Sequence, residues 1–238
     1  VAFFYEGMAV RTYVYIDGYN LYYGCLHRTK YKWLDIYKLF ADHIVKAQSP
    51  DSSIDKVKLF TADIRANFAT HGQLAHHAQN TYHRGLEHCY PDQIDIIKGY
   101  YSAELARLPR YNHPLEKIEL VDVWKLEEKQ TDVNLALHLY RDAVVQKCCE
   151  QIIIVSNDTD IAPAVKLLRD EADKNVQIGI VIPMRKPLPN SRHRPPNEQL
   201  SKYAHWTRRY ILDAELIASQ LPDVIPTNKK PIRKPDIW

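Results

Sequence analysis

Residues 151–155 read QIIIV and residues 176–182 read VQIGIVI. Neither run alternates with polar residues, so as a strand each must be covered on both faces. That requirement excludes a sheet with one wet side and asks for helices above and below. The residues between the two runs supply one helix, because Ile161, Ala164, Val165 and Leu168 recur at helical spacing over 161–172.

The same alternation extends upstream. Residues 13–17 (YVYID), 56–62 (KVKLFTA) and 94–100 (IDIIKGY) are short β-rich runs, and 118–125 (IELVDVWK) alternates like a half-buried extended segment. Helical spacing recurs over 33–47, with Asp35 as a cap, over 71–88, over 132–146 with Thr131 as a cap, and over 198–220 as a last helix. The strands are separated by about 22 to 55 residues, too many for hairpins and enough for helical crossovers of a dozen or more. The expected class is α/β, with a mostly parallel central sheet of about five strands and helices on both faces. Residues 101–119, with Pro109 and Pro114, read as a loop or hairpin excursion, and 183–197, with five Pro, as a loop. One domain over 9–220 and an irregular tail over 221–238 are the expected organisation.

Composition removes several classes. A chain of 238 residues, 45% apolar and 26% charged, is an ordinary globular sequence and not a disordered one. It can bury roughly 70–75% of its unfolded surface, so it needs no disulfide or metal staple. The longest apolar runs are far short of the roughly 20 residues of a membrane span, so no membrane partner is expected. The first residues lack the basic flank of a secretory signal; Met8 is read as the natural start, with 1–7 left over. Four Cys without a CxxC pair fit a reducing cytoplasm. The net charge of +3 says little about partners, but Arg185, Lys186, Arg192 and Arg194 fall together in a Pro-rich stretch without an acid, and 229–234 (KKPIRK) adds four cations.

In an open α/β sheet, ligands bind outside the carboxyl ends of the strands. Asp17 closes the first strand, Asp158 and Asp160 follow the most apolar one, and Asp132 opens a helix after the fourth extended segment. A parallel sheet sends all four into one crevice. Like charges at close range raise each other's pKa or demand a cation. Oxygen-only ligands without His or Cys suit Mg²⁺ or Mn²⁺ better than Zn²⁺. Taken singly, Asp132 could only favour the dipole of its helix, and Asp158 and Asp160 could be plain loop acids.

Other features are weaker. The His residues between 71 and 88 lack the i,i+4 pairing of a helical zinc site and read as a solvated polar face. No GxxxxGK[ST], GxGxxG or GxSxG occurs. Tyr19, Tyr22 and Tyr23 sit just past Asp17, where a base could stack, but core packing is the default for such residues.

These residues carry a family resemblance. YIDGYNL (15–21) resembles the first motif of the NYN family, a branch of the PIN-like nuclease fold. EEKQTDVNLALHLYRDA (127–143) is similar to its second motif, and IIIVSNDTDIAPAV (152–165) to its third. The close, from SQLPDVI to PIRKPDIW (219–238), is similar to the tail of stand-alone bacterial members. The resemblance implies a PIN-like Rossmannoid fold and a metal-dependent ribonuclease that cuts RNA to 5′-phosphate and 3′-hydroxyl ends. By resemblance Asp17, Asp132, Asp158 and Asp160 are catalytic, the first three holding Mg²⁺ or Mn²⁺. Asn20 would bond a metal ligand or a substrate phosphate, Ser156 would orient an acid, and Lys129 would meet a phosphate. The chain departs from the pattern at Gln130, where the family often has Gly, which leaves a Gly-specific backbone angle without its usual residue.

Two alternatives come from other classes. A PIN-like RNA-binding module without turnover is opposed by the intact set of acids. A phosphatase of the haloacid dehalogenase type needs an Asp-x-Asp nucleophile on the first strand, where Asp17 is followed by Gly18 and Tyr19. The many Tyr and Trp side chains leave room for a second copy of the chain, a homo-oligomer.

The basic stretch yields a measurable expectation. Four cations neutralising phosphates on a single strand give a slope near −3 in log affinity against log salt. Titration of RNA binding against salt should return that slope, and a flat response would remove the phosphate role of Arg185, Lys186, Arg192 and Arg194.

Overall fold

In the computed structural model, which describes residues 9–111, 119–187 and 198–238, each apolar run becomes a strand. The first half of the chain comprises β1 (Val10–Asp17), α1 (Gly18–Leu21, continued by a π-helical turn, Tyr22–Leu26), α2 (Ile36–Lys38), α3 (Lys46–Gln48), β2 (Ser52–Ala62), α4 (Gly72–Cys89), β3 (Ile94–Pro109) and β4 (Leu120–Lys129). A π-helical stretch, Leu39–Val45, joins α2 to α3. The second half comprises α5 (Thr131–Tyr140, prolonged by Arg141–Val145), β5 (Gln151–Val155), α6 (Ala162–Glu171), β6 (Gln177–Val181), α7 (Glu198–Ser201), β7 (Trp206–Arg208), α8 (Asp213–Ala218), β8 (Val224–Ile225) and β9 (Ile232–Arg233).

Among the described residues the main sheet has seven strands in the order β4-β3-β2-β1-β5-β6-β7. All neighbours are parallel except β3 with β4. The expectation of about five strands is corrected at both edges. The described part of 101–119 follows the hairpin alternative, with β3 prolonged and paired to β4 from Tyr100 to Pro109, while 112–118 lie outside the described residues. Because β3 pairs with β2 only over Ile94–Gly99, the rest of β3 and β4 form a ribbon projecting past the carboxyl edge of the sheet. At the other edge the last helix expected over 198–220 is broken into α7, β7 and α8. Gly179 explains the break: a Cβ there would stand 2.2 Å from the Trp206 ring, so a strand without a side chain admits the indole and β7 docks on β6. His205 Nδ1 accepts from the Ile178 amide at 2.8 Å and fixes the start of β7.

Side chains then sort by parity along each strand. Val14, Ile16, Ile153, Val155 and Val181 face Leu39, Phe40 and Ile44 and, from α4, Tyr82 and Leu86. Tyr15, Ile152, Ile154, Ile178 and Ile180 face Leu135 and Leu139 of α5 and Val165 and Leu168 of α6. Both faces are dry, as the unbroken QIIIV run requires, and each buried aliphatic side chain contributes about 1.5–3 kcal/mol.

Local signals hold in part. Asp35 caps α2 as expected, accepting from the Lys38 amide at 2.9 Å. Thr131 is the first helical residue of α5 rather than its cap; the cap is Gln130, at φ 73°. The left-handed angle is thus kept without Gly, at a strain of roughly 1–2 kcal/mol. On α4 His83 is buried rather than solvated, and burial pushes its pKa down to about 4. The tail is largely irregular apart from the β8–β9 hairpin, yet Leu221, Ile225 and Ile232 are core residues. The Trp33 indole donates to the Pro222 carbonyl at 2.9 Å.

One buried polar cluster ties α5 to the sheet. Lys58 of β2 pairs with Asp142, which also accepts from Tyr15 Oη at 2.8 Å and Arg141 Nε at 3.0 Å. Lys58 and Asp142 are both fully enclosed, so removal of one strands the other's charge. Asp142→Ala should destabilise the fold by about 3–5 kcal/mol in urea unfolding, and Lys58→Met with Asp142→Leu should recover most of that loss.

Candidate active site

The strand order fixes where a ligand can sit. From β1 the chain builds β2 and β3 on one side, then returns to place β5, β6 and β7 on the other. The order reverses between β1 and β5, and the crevice of such a sheet lies at the carboxyl ends of those two strands. Ile16 of β1 pairs with Val155 of β5, so the next residues along, Asp17 and Ser156, stand side by side in this crevice.

Asp17 is only 3% exposed. Its Oδ1 accepts from the Asn20 amide at 2.9 Å, and its Oδ2 from Ser156 Oγ at 2.9 Å and from Asn20 Nδ2. Burial pushes its carboxyl above the ordinary range, these hydrogen bonds pull it back, and the nearby charge of Glu128 pushes it up again. Asn20 and Ser156 thus both hold the Asp17 carboxylate. Asn20 Oδ1 also accepts from the Asn157 amide at 3.3 Å, which links α1 to the loop after β5.

That loop carries the next two acids. Ser156 Oγ accepts from the Asp158 amide at 3.1 Å. Asp158 in turn caps the short 3₁₀ turn Thr159–Ile161, accepting from the Asp160 amide at 3.1 Å. Asp160 is exposed at the lip. Asp132, in the first turn of α5, opens to solvent on one side. Enclosure by the crevice wall and the charges of Asp17, Asp158 and Asp160 nonetheless push its pKa up to about 6. The four acids from three separate segments thus lie within one another's field. A lone acid at a helix N-terminus is stabilised as an anion; here the neighbouring carboxylates outweigh the dipole.

A fifth acid escaped the sequence reading. Glu128, at the root of β4, accepts from Thr131 Oγ1 and from Tyr101 Oη at 3.3 Å and feels Asp17. Strand parity puts it on the opposite side of β4 from Lys129. Lys129 pairs with Glu127, which also holds Lys125. The signal was present in EEK, but it is readable only once 120–129 is known to be a strand.

Of the expected phosphate-binding cations, Arg185 as well as Lys129 is paired with another acid. Arg185 makes a two-pronged pair with Asp213, at 2.7 and 2.6 Å, and lies over the Tyr31 ring. Lys186 is exposed. Arg192 and Arg194 fall outside the described residues. Among the described residues no cation is paired with Asp17, Glu128, Asp132, Asp158 or Asp160.

Five carboxylates without a counter-charge form a donor set of hard oxygens, the chemistry that suits Mg²⁺ or Mn²⁺. Among the described residues no three His, Cys, Asp or Glu side chains stand in an arrangement that would hold a metal ion as they are. The acids share a field without yet sharing a coordination sphere. A cation bound through one or two carboxylates, with water and phosphate oxygens as its other ligands, is compatible with such a site.

Comparison with known proteins agrees with the motifs. A model of the NYN domain matches residues 11–194. A curated relative from Pseudomonas putida (strain DSM 28022 / S16), named 6-hydroxy-3-succinoylpyridine 3-monooxygenase HspA, is 39% identical over 251 residues, covering 96% of this chain and 75% of its own. Among solved structures, a protein of unknown function from Vibrio parahaemolyticus RIMD 2210633 is similar at 14% identity and a TM-score of 0.46, over 85% of this chain and 94% of that one. No described helix is long and apolar enough to cross a membrane.

The acid cluster sets a pH dependence. With Asp132 raised to about 6, against about 3.9 in an unfolded chain, the folded state holds the extra proton between those values and loses stability as pH rises through them. Asp132→Asn should therefore raise Tm near neutral pH and leave it unchanged in acid below about pH 3.9. Thermal unfolding of both proteins at the two pH values checks this.

Proposed function

The chain belongs to the NYN domain family, and from that premise we propose that it is a ribonuclease that hydrolyses RNA phosphodiester bonds with the aid of Mg²⁺ or Mn²⁺. The observation that carries the reading is that Asp132 lies in the field of Asp17 and Asp158 beside the β1–β5 switch point, and that among the described residues no cation pairs with any of the three.

In this reading Asp17, Asp132 and Asp158 hold one or two divalent ions. When bound, such ions make water a stronger nucleophile and offset the charge of a phosphodiester. The chain's own residues do the rest. Asn20 and Ser156 keep both Asp17 oxygens directed, so this ligand needs no reordering when substrate arrives. Asp160, free to reach solvent at the lip, orients the attacking water by accepting a hydrogen bond from it. Attack in line with the leaving 3′-oxygen forms the new oxygen–phosphorus bond as the old one breaks, and the 3′-oxygen takes up a proton. The products are a 5′-phosphate and a 3′-hydroxyl. Lys186, with Arg192 and Arg194, would follow the RNA backbone. Arg185 would join them only by leaving Asp213, and Lys129 only by leaving Glu127. A cytoplasmic setting fits both the substrate and the free thiols.

The name of the Pseudomonas relative favours a second reading, oxidation of a hydroxypyridine. The chain has no GxGxxG segment to support a dinucleotide site.

The two readings separate in one set of assays. The purified protein should cleave labelled RNA with Mn²⁺ and not with EDTA. Asp17→Asn should lower cleavage by at least about a hundredfold, since it removes a ligand and leaves the fold intact. Oxygen uptake with 6-hydroxy-3-succinoylpyridine and reduced flavin should stay at background. Wild-type cleavage by Asp17→Asn would remove the metal-site assignment, and brisk oxygen uptake without RNA cleavage would replace the reading.

A further inference from the structure

Of the three tyrosines after Asp17, Tyr22 packs against the core as its residue type suggests, and Tyr19 and Tyr23 do not. Tyr19 is 48% exposed and Tyr23 54% exposed. They stand four residues apart on the helical run that leaves Asp17, and so share one face. Their ring centroids are 4.5 Å apart, with the planes tilted by 45°. Behind them Tyr22 meets Tyr23 edge-on at 5.1 Å, and His27 closes on both at 5.6 and 5.2 Å.

The run that carries these rings is pressed against its surroundings. A Cβ on Gly18 would come within 2.7 Å of the Phe60 carbonyl, and one on Gly24 within 1.8 Å of the Pro183 carbonyl. The two glycines let the segment lie directly on the backbone of its neighbours, so the face presenting Tyr19 and Tyr23 is set by contact on the opposite side. The pair also looks toward the acids. Tyr23 feels the charge of Glu128, and Tyr101, which donates to Glu128, feels both Tyr19 and Tyr23.

Folding alone gives no reason to leave two large rings in water beside a buried carboxylate, because covering them would stabilise the chain. A half-exposed aromatic ring is what a planar ring stacks on, and it tolerates any base because every base has a π-face. We propose that Tyr19 and Tyr23 form a stacking subsite for a planar heteroaromatic ring at the lip of the acid crevice, and that this ring is a nucleobase of single-stranded RNA next to the phosphate being cut. The ring subsite rests on the geometry of the tyrosines; its assignment to a nucleobase rests on the ribonuclease reading. A free heteroaromatic molecule presents the same π-face, so the test must tell the two sources apart.

The experiment is fluorescence anisotropy with a short labelled single-stranded oligoribonucleotide and with its abasic counterpart, Ca²⁺ replacing Mg²⁺. Tyr19→Ala or Tyr23→Ala should weaken the base-bearing strand about tenfold or more and leave the abasic strand unchanged, in keeping with the loss of one stacked base. Tyr19→Phe and Tyr23→Phe keep the ring and should stay within about twofold of the parent protein. A second arm follows quenching of tyrosine fluorescence by free uridine and by free 2-hydroxypyridine. Quenching by the free ring that the Ala variants lose, together with binding of the strand that ignores its bases, would keep the subsite and overturn the nucleobase. Ala variants that bind the base-bearing strand as tightly as the parent and quench with free rings unchanged would overturn the proposal. Base-dependent binding without any cleavage by the parent protein would leave the subsite standing and remove only the ribonuclease reading.

Discussion

A carboxylate taken out of water beside other carboxylates is the constraint around which this fold is arranged. Asp17 sits at the end of the central strand, 3% exposed, with hydrogen bonds from Asn20 and Ser156 and, among the described residues, no paired cation. Hydrogen bonds to the charged form offset part of the desolvation but not the repulsion from Glu128 and Asp132. The backbone around it follows from this. α1 begins at Gly18 because the amides of its first turn must reach back to Asp17. The loop after β5 is tied to Asn20 so that Ser156 stays in line. The same surplus of negative charge that strains the isolated chain is what the proposed divalent ion would offset.

Much of this was legible in the sequence because the decisive signals were local and one-dimensional. QIIIV has no polar residue to turn toward solvent, so two-sided cover could be read directly, and the structure places core on both faces of β5. Asp17 and Asp158 could be placed because each ends or follows an apolar run, and parallel pairing brings such ends together. What escaped depends on long-range partners or on parity. β7 exists because Gly179 leaves a gap for Trp206, a relation between residues on different elements. Glu128 and Lys129 are adjacent in sequence and opposite in space, so the choice between them needs the strand register. Arg185 looked like an unpaired cation because Asp213 comes much later in the chain. Gln130 shows the reverse: the resemblance pointed to a Gly-like angle, and the backbone takes it with a larger residue.

The family and the relatives constrain function unequally. Membership of the NYN domain family accounts for the three motifs and for the strand order that brings their acids together. The Pseudomonas relative is similar over nearly the whole chain, yet its name describes chemistry on a small ring. Tyr19 and Tyr23 stand exposed on the run that leaves Asp17. A planar group beside an oxyanion is the substrate chemistry that the proposed stacking subsite and the acids would together suit.

The β3–β4 ribbon gives the crevice a handle. Its outer part carries Leu105, 71% exposed, and Trp124, 65% exposed, while its root carries Glu128, tethered to Thr131 one residue before Asp132. A stiff antiparallel pair transmits a push at its tip to its base, as an oar does to its rowlock. The exposed outer part and the acid at the root thus belong to one continuous antiparallel pair, so the crevice wall and that outer surface share a single support.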